Sequence, residues 1–229
     1  MNMESQSKRI ICPKCGFNQL VSYECVRCGV IFSKIKNLNN KRGKQKINEV
    51  KKEIPSENLN QAMKCIVKGK PIEVVDLLGN VLSLPSKVLL LSMKIDSHMI
   101  TDDVVPPILE FISCHDLYDV KVRLNQFAPH DEFLRLFKNN NMNILIRIFF
   151  GIFFLLGYLL NPGRLFGGDF YNPTTNSVNI FSNHTGIALH ELGHALDFKN
   201  RKYPGLYQLS RFIPFVALYQ EYKASKYAL

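Results

Sequence analysis

The sequence predicts an α+β protein that is mainly α, laid out in four segments. A small four-cysteine module over 1–35 precedes a basic flexible linker over 36–58, a helical region over 59–138 and a C-terminal core over 139–229. Three observations carry this reading. Four cysteines crowd into residues 12–28. An Asn/Lys-rich stretch nearly free of large apolar residues follows them. From 59 onward, apolar residues recur at helical spacing, and one short alternating strand precedes a final amphipathic helix. At 229 residues the chain can bury one substantial core and still carry an appendage.

Taken in order, the first segment holds "CPKCGFNQLVSYECVRCGV", with Cys12, Cys15, Cys25 and Cys28. Each CxxC pair is followed by Gly, which permits the positive φ of a tight metal knuckle, and four thiolates satisfy a tetrahedral Zn²⁺. The alternative is a redox dithiol or disulfide pair, but redox motifs rarely come doubled. The stretch resembles a bacterial zinc ribbon, with "GVIFSKIK" as the strand that closes it. Four protein ligands leave no open position, so such a site is structural or recognitional. The first ten residues are polar and show no signal-peptide pattern, which puts the N-terminus in the cytoplasm, where thiols stay reduced. Cys65 and Cys114 stand alone among apolar residues and read as small buried hydrophobes.

Charge is as uneven as cysteine. The net +10 divides into 13 Lys/Arg against 5 Asp/Glu over 1–64, and 16 against 14 over the rest. The basic surplus therefore belongs to the N-terminal third. A basic segment can meet nucleic acid or anionic headgroups. This one lacks the interleaved aromatics or recognition helix that nucleic-acid binding uses, so a solvated linker is the simpler reading and nucleic acid is not an expected partner.

The third segment shows turns at "GKP", "LPS", "VPP" and "APH", and the runs "IEVVDLLGNVL" and "SKVLLLSMKI" suit amphipathic helices or short strands. His98, His115 and His130 are single histidines without ligand spacing and are set aside. The run "ILIRIFFGIFFLLGYLL" over 144–160 contains one charge, Arg147. It reads as a transmembrane or deeply inserted helix, with a buried core helix as the alternative. A membrane, the bacterial inner membrane in particular, is then an expected partner. "LSRFIPFVALY" over 209–219 fits an interfacial segment or a helix packed on the first.

In the last segment, "IALHELGHALDF" carries an HExxH pattern. On a helix, His190 and His194 lie about 40° apart on one face, so both imidazoles can reach one Zn²⁺ while Glu191 stands beside the open position. Ala188, Leu189, Leu192, Ala195 and Leu196 give the same helix an apolar back. Upstream, "NSVNIFSN" alternates as a short strand of the edge type that holds an extended peptide by backbone pairing. Two imidazoles need a third protein ligand, and Asp197 and Glu221 are the candidates. Asp197 is better suited to orienting His194.

"HELGH" with the later "EYKAS" resembles the gluzincin metallopeptidases, especially the membrane-associated HtpX and prenyl-protein (CAAX) endopeptidase type, over roughly 140–229. That type completes its site with the Glu of an ExxA(D) helix, which corresponds to Glu221; Ser225 stands where it carries Asp. The segment also looks like bacterial HExxH proteins with a "YNPxTN" strand. The resemblance implies a zinc endopeptidase acting on peptide or protein, with Glu191 as general base; by their place in the sequence Tyr203, Tyr207 and His184 are each within reach as a donor to the developing oxyanion. Two rival readings remain: a non-catalytic membrane-anchored adaptor built on the ribbon, and, more weakly, a DNA-binding regulator.

Overall fold

The computed structural model describes residues 54–228, together with the backbone of two short strands, β1 (Arg9–Ile11) and β2 (Asn18–Leu20). These two pair antiparallel, with Ile10 opposite Gln19. Cys12, Cys15, Cys25 and Cys28, and the linker as far as residue 53, lie outside the described residues.

The remaining chain is mixed α+β and mainly helical, as its pattern predicts. The elements run α1 (Ser56–Cys65), β3 (Ile66–Lys68), α2 (Glu73–Leu82), α3 (Leu84–Leu89), α4 (Val105–Cys114), β4 (Lys121–Leu124), α5 (Pro129–Lys138) and α6 (Ile144–Leu160). They continue with α7 (Gly163–Phe166), β5 (Phe170–Asn172), β6 (Ser177–Ile180), α8 (Thr185–Lys199), α9 (Pro204–Ser210) and α10 (Pro214–Ala228). Three of the sequence's turn signals are helix starts: "LPS", "VPP" and "APH" put Pro in the first turn of α3, α4 and α5, where its missing N–H costs nothing.

The sheet has the order β3-β4-β6-β5, parallel except for the antiparallel pair β5–β6. Strands β3 and β4 fall in the segment read as helical, and each is too short to show a period. Register puts Val122, Leu124, Val178 and Ile180 on one face, all fully buried with Ala62, Ile108, Ile112, Leu192 and Ala195 from α1, α4 and α8. The opposite face is polar. Arg123 is buried there and donates Nε to Glu132 at 2.8 Å, while the Thr175 and Ser177 hydroxyls donate to the other Glu132 oxygen. Every formal charge in that layer has a partner, which is the condition for burying it.

The expected edge strand is corrected here. Residues 177–180 form an interior strand, buried at all four positions, and β5 takes the edge. Cys114 is exposed, not buried, while Cys65 is buried and donates to the Tyr118 carbonyl at 3.2 Å.

The transmembrane reading is also corrected. Among the described residues no helix is long and apolar enough to cross a membrane. Helix α6 has 17 residues, a rise of about 25 Å against a hydrocarbon core of roughly 30 Å. Its two large polar side chains turn into the protein. Arg147 is buried with Nη2 toward the Phe137 carbonyl, and the Tyr158 hydroxyl takes the Ala128 amide and donates to the Gln126 carbonyl. Gly151 lets α5 close in, since a Cβ there would sit 2.0 Å from Leu136 Cδ1. Membrane association through 144–160, with the N-terminus on the cytoplasmic side, is withdrawn with that span. Nor is α6 a buried core helix, because Leu145, Phe149, Ile152, Phe153 and Leu156 are exposed.

Helices α2 and α3 carry their polarity inside out. Asp76, Ser83 and Lys87 are buried while Val74, Leu77, Val88 and Leu89 are exposed. Lys87 donates to the Asn80 carbonyl and side chain, and the buried side of α2 is anchored by one ion pair with its amide partners. Arg164 of α7 reaches Asp76 with two nitrogens, at 2.9 and 3.1 Å, and the Asn125 side chain and Ile72 amide complete the carboxylate.

Candidate metal centre

Helix α8 presents His190 and His194 one turn apart, with ring centroids 4.8 Å apart and planes nearly perpendicular. Helix α10 brings Glu221 to them. Its Oε2 lies 3.1 Å from His190 Nε2 and 3.2 Å from His194 Nε2. A tetrahedral ion with bonds of about 2.0–2.1 Å holds its ligand atoms about 3.3 Å apart; the carboxylate stands near that spacing from each imidazole, and the three ligand atoms lie within 4.8 Å of one another. His190, His194 and Glu221 thus form a group that could hold a metal ion, the one such group among the described residues.

The approach of α10 depends on two small residues. A Cβ on Gly193 would lie 2.4 Å from the Ala224 carbonyl oxygen, and Ala224 is itself fully buried. Gly193 therefore serves the helix contact, not the metal face. Ala224 follows Glu221 by three residues, so the small residue and the ligand share one side of α10.

Neighbours hold two of the three ligands, while His194 Nδ1 is buried without a partner. The Ser225 hydroxyl lies 3.2 Å from His190 Nδ1, on the nitrogen that leaves Nε2 free for a metal. Arg211 donates to the second Glu221 oxygen at 2.7 Å. Burial opposes charge on Glu221, but His194, Arg211 and His190 outweigh it and hold its carboxyl below the ordinary range. Burial brings the His194 imidazole down to about 4, keeping it neutral. A neutral imidazole beside an ionised carboxylate is what a divalent cation requires.

Glu191 is buried beside this group. Burial, then the Asp169 and Glu221 carboxylates, push it up to about 8, against the Tyr171 amide and Arg211. Asp169 is fully engaged behind it, accepting the Phe181 and Ser182 amides at 2.6 and 3.0 Å as well as the Ser182 hydroxyl.

Asp197 is not a ligand and does not touch His194. Its carboxylate accepts from Arg201 at 2.6 Å and from the Tyr207 hydroxyl. That bond removes Tyr207 from the oxyanion candidates. Tyr203 is exposed beside Lys202, His184 sits at the N-cap of α8, and neither lines the cleft.

The cleft in front of the group has a volume of about 1130 Å³. Glu191, His194, Arg211 and Glu221 stand at one side, the Asp169–Tyr171 stretch and Pro173 border it, and α6 forms the far wall. Two of its polar residues escaped the sequence reading. Arg211 sits in the run 209–219 that reads as apolar interfacial sequence and Gln208 just ahead of it, yet both line the cleft, and the Gln208 side-chain oxygen is buried without a partner. No protein-family model, curated protein or solved structure matches the chain.

Proposed function

We propose that the protein is a zinc metallopeptidase of the gluzincin kind, with His190, His194 and Glu221 as metal ligands and Glu191 as general base. The observation that carries this reading is the convergence of two imidazole nitrogens on one carboxylate oxygen within 3.2 Å, with a fourth titratable group, Glu191, on the same cleft. When bound, zinc supplies Lewis-acid activation of a water and of the scissile carbonyl, with the water's pKa falling to about 7.

The chain's own residues do the rest. Beside a bound dication the Glu191 carboxyl would be drawn back down from about 8 and left ionised, able to take the proton as the water attacks and to hand it to the leaving amine. Its place beside β5 sets it next to a peptide lying on that strand. Arg211 keeps Glu221 oriented through the oxygen not turned toward the histidines, and its remaining donors line the cleft where negative charge develops on the carbonyl. The ribbon cysteines Cys12, Cys15, Cys25 and Cys28 would hold a second, structural zinc.

The test is hydrolysis of a generic peptide substrate by the zinc-loaded chain, stopped by a chelator. Glu191→Gln is expected to cut kcat/KM by roughly 10²–10⁴-fold while leaving zinc content unchanged. Full activity in that variant would remove the mechanism. Absence of turnover in the wild type would leave a metal-binding interaction module.

A further inference from the structure

We propose that the cleft is a binding site for an extended peptide carrying a large aromatic or branched aliphatic residue. That side chain would lie against the Phe149, Phe150, Phe153 and Phe154 face of α6, with the peptide backbone on the outer edge of β5. The inference rests on the peptidase reading and adds the substrate class to it.

The wall is aromatic and unfilled. Phe149 and Phe153 are 59% and 60% exposed, and Phe212, on the turn beside Arg211, is 75% exposed. Phe149 meets Phe153 edge-on with centroids 5.2 Å apart, and Phe150 lies 6.1 Å from Phe212, so these rings form one continuous surface along the cleft. None of the charged residues bordering the cleft belongs to α6; they are Asp169, Glu191, Arg211 and Glu221, all toward the metal group. A polar side chain reaching the wall would lose water and gain no partner, whereas an apolar one buries area on both sides. Gly157 deepens the space: it lines the cleft, and a Cβ there would meet nothing within 4 Å.

The backbone site has an independent basis. Strand β5 ends the sheet, with β6 on its other side. Phe170, Tyr171 and Pro173 line the cleft, so the unpaired backbone groups of that edge stand at the cleft as partners for an incoming strand. Gly168, just ahead of β5, leaves the approach open.

The test uses the full zinc-loaded chain and quenched peptides of Gly/Ser background that differ at one position, Phe, Leu, Ala or Glu. The Phe and Leu peptides are expected to exceed the Ala and Glu peptides at least about 10-fold in kcat/KM. Phe153→Ala and Gly157→Leu, both at sites with free space, are expected to bring that ratio toward one without lowering the unfolding temperature. A flat profile, a preference for Glu, or an unchanged ratio in both variants would overturn the proposal. Binding of the same peptides to zinc-loaded Glu191→Gln, read by anisotropy, separates the two readings. Selective binding of Phe and Leu peptides without wild-type turnover would keep the cleft assignment and remove the peptidase. Turnover without side-chain preference would do the reverse, and neither binding nor turnover would remove both.

Discussion

A methyl group at position 193 would land 2.4 Å from the Ala224 carbonyl, so the metal group depends on a residue that touches no metal. Gly193→Ala is expected to push α10 outward, cost about 1–3 kcal/mol in thermal unfolding, and weaken zinc binding because Glu221 retreats with the helix. Ser225 offers a finer test. Losing its contact with His190 Nδ1 in Ser225→Ala is expected to weaken zinc affinity about 10-fold or more, and Ser225→Asp to restore it. At this scale the sequence was informative where a motif fixes spacing: His190 and His194 share one helix face as HExxH places them, and of the two candidate carboxylates Glu221 is the one that reaches them. It was silent where a role depends on contacts across the fold. Nothing in the chain order tells that Asp197 spends its carboxylate on Arg201 and Tyr207, or that Arg211 reaches Glu221.

Helices and strands were legible in proportion to their length and to how they meet water. The long periodic segments α8 and α10 are helices as expected, while the three-residue β3 and the four-residue β4 are set by pairing and not by local pattern. Helix α6 shows why hydropathy alone misleads: its apolar residues look like a span, but Arg147 and Tyr158 tie one side to α5 and the loop before it, and the other side forms a cleft wall. Helix α2 is the converse case, its buried side chosen by Asp76. Burial opposes ionisation of Asp76, but Arg164, Ile72 and Asn125 hold its carboxyl below the usual range. Because that pKa is depressed on folding, the stabilisation is present above the unfolded value of about 3.9 and is lost as pH falls through the folded one. Asp76→Ala is expected to cost about 3–5 kcal/mol at neutral pH and to flatten the acid limb of stability against pH, measured by urea unfolding from pH 2 to 7.

Over residues 54–228 the molecule is a small parallel sheet with one antiparallel edge, apolar helices on one face and a polar, charge-paired layer on the other. The cleft opens where that edge meets α6 and the α8–α10 pair, and binding of a metal there would tie α8 to α10. Zinc at 100 times its dissociation constant is expected to raise stability by about 2.7 kcal/mol, or roughly 5–10 °C, with the increment lost in His194→Ala. The most direct test of the centre is the metal content of the purified wild-type chain beside His190→Ala and Glu221→Ala, counted by elemental mass spectrometry after zinc loading. Convergence of these side chains on one ion requires one fewer zinc per chain in each variant, whatever the cysteine module holds. Equal zinc content in all three proteins would contradict it.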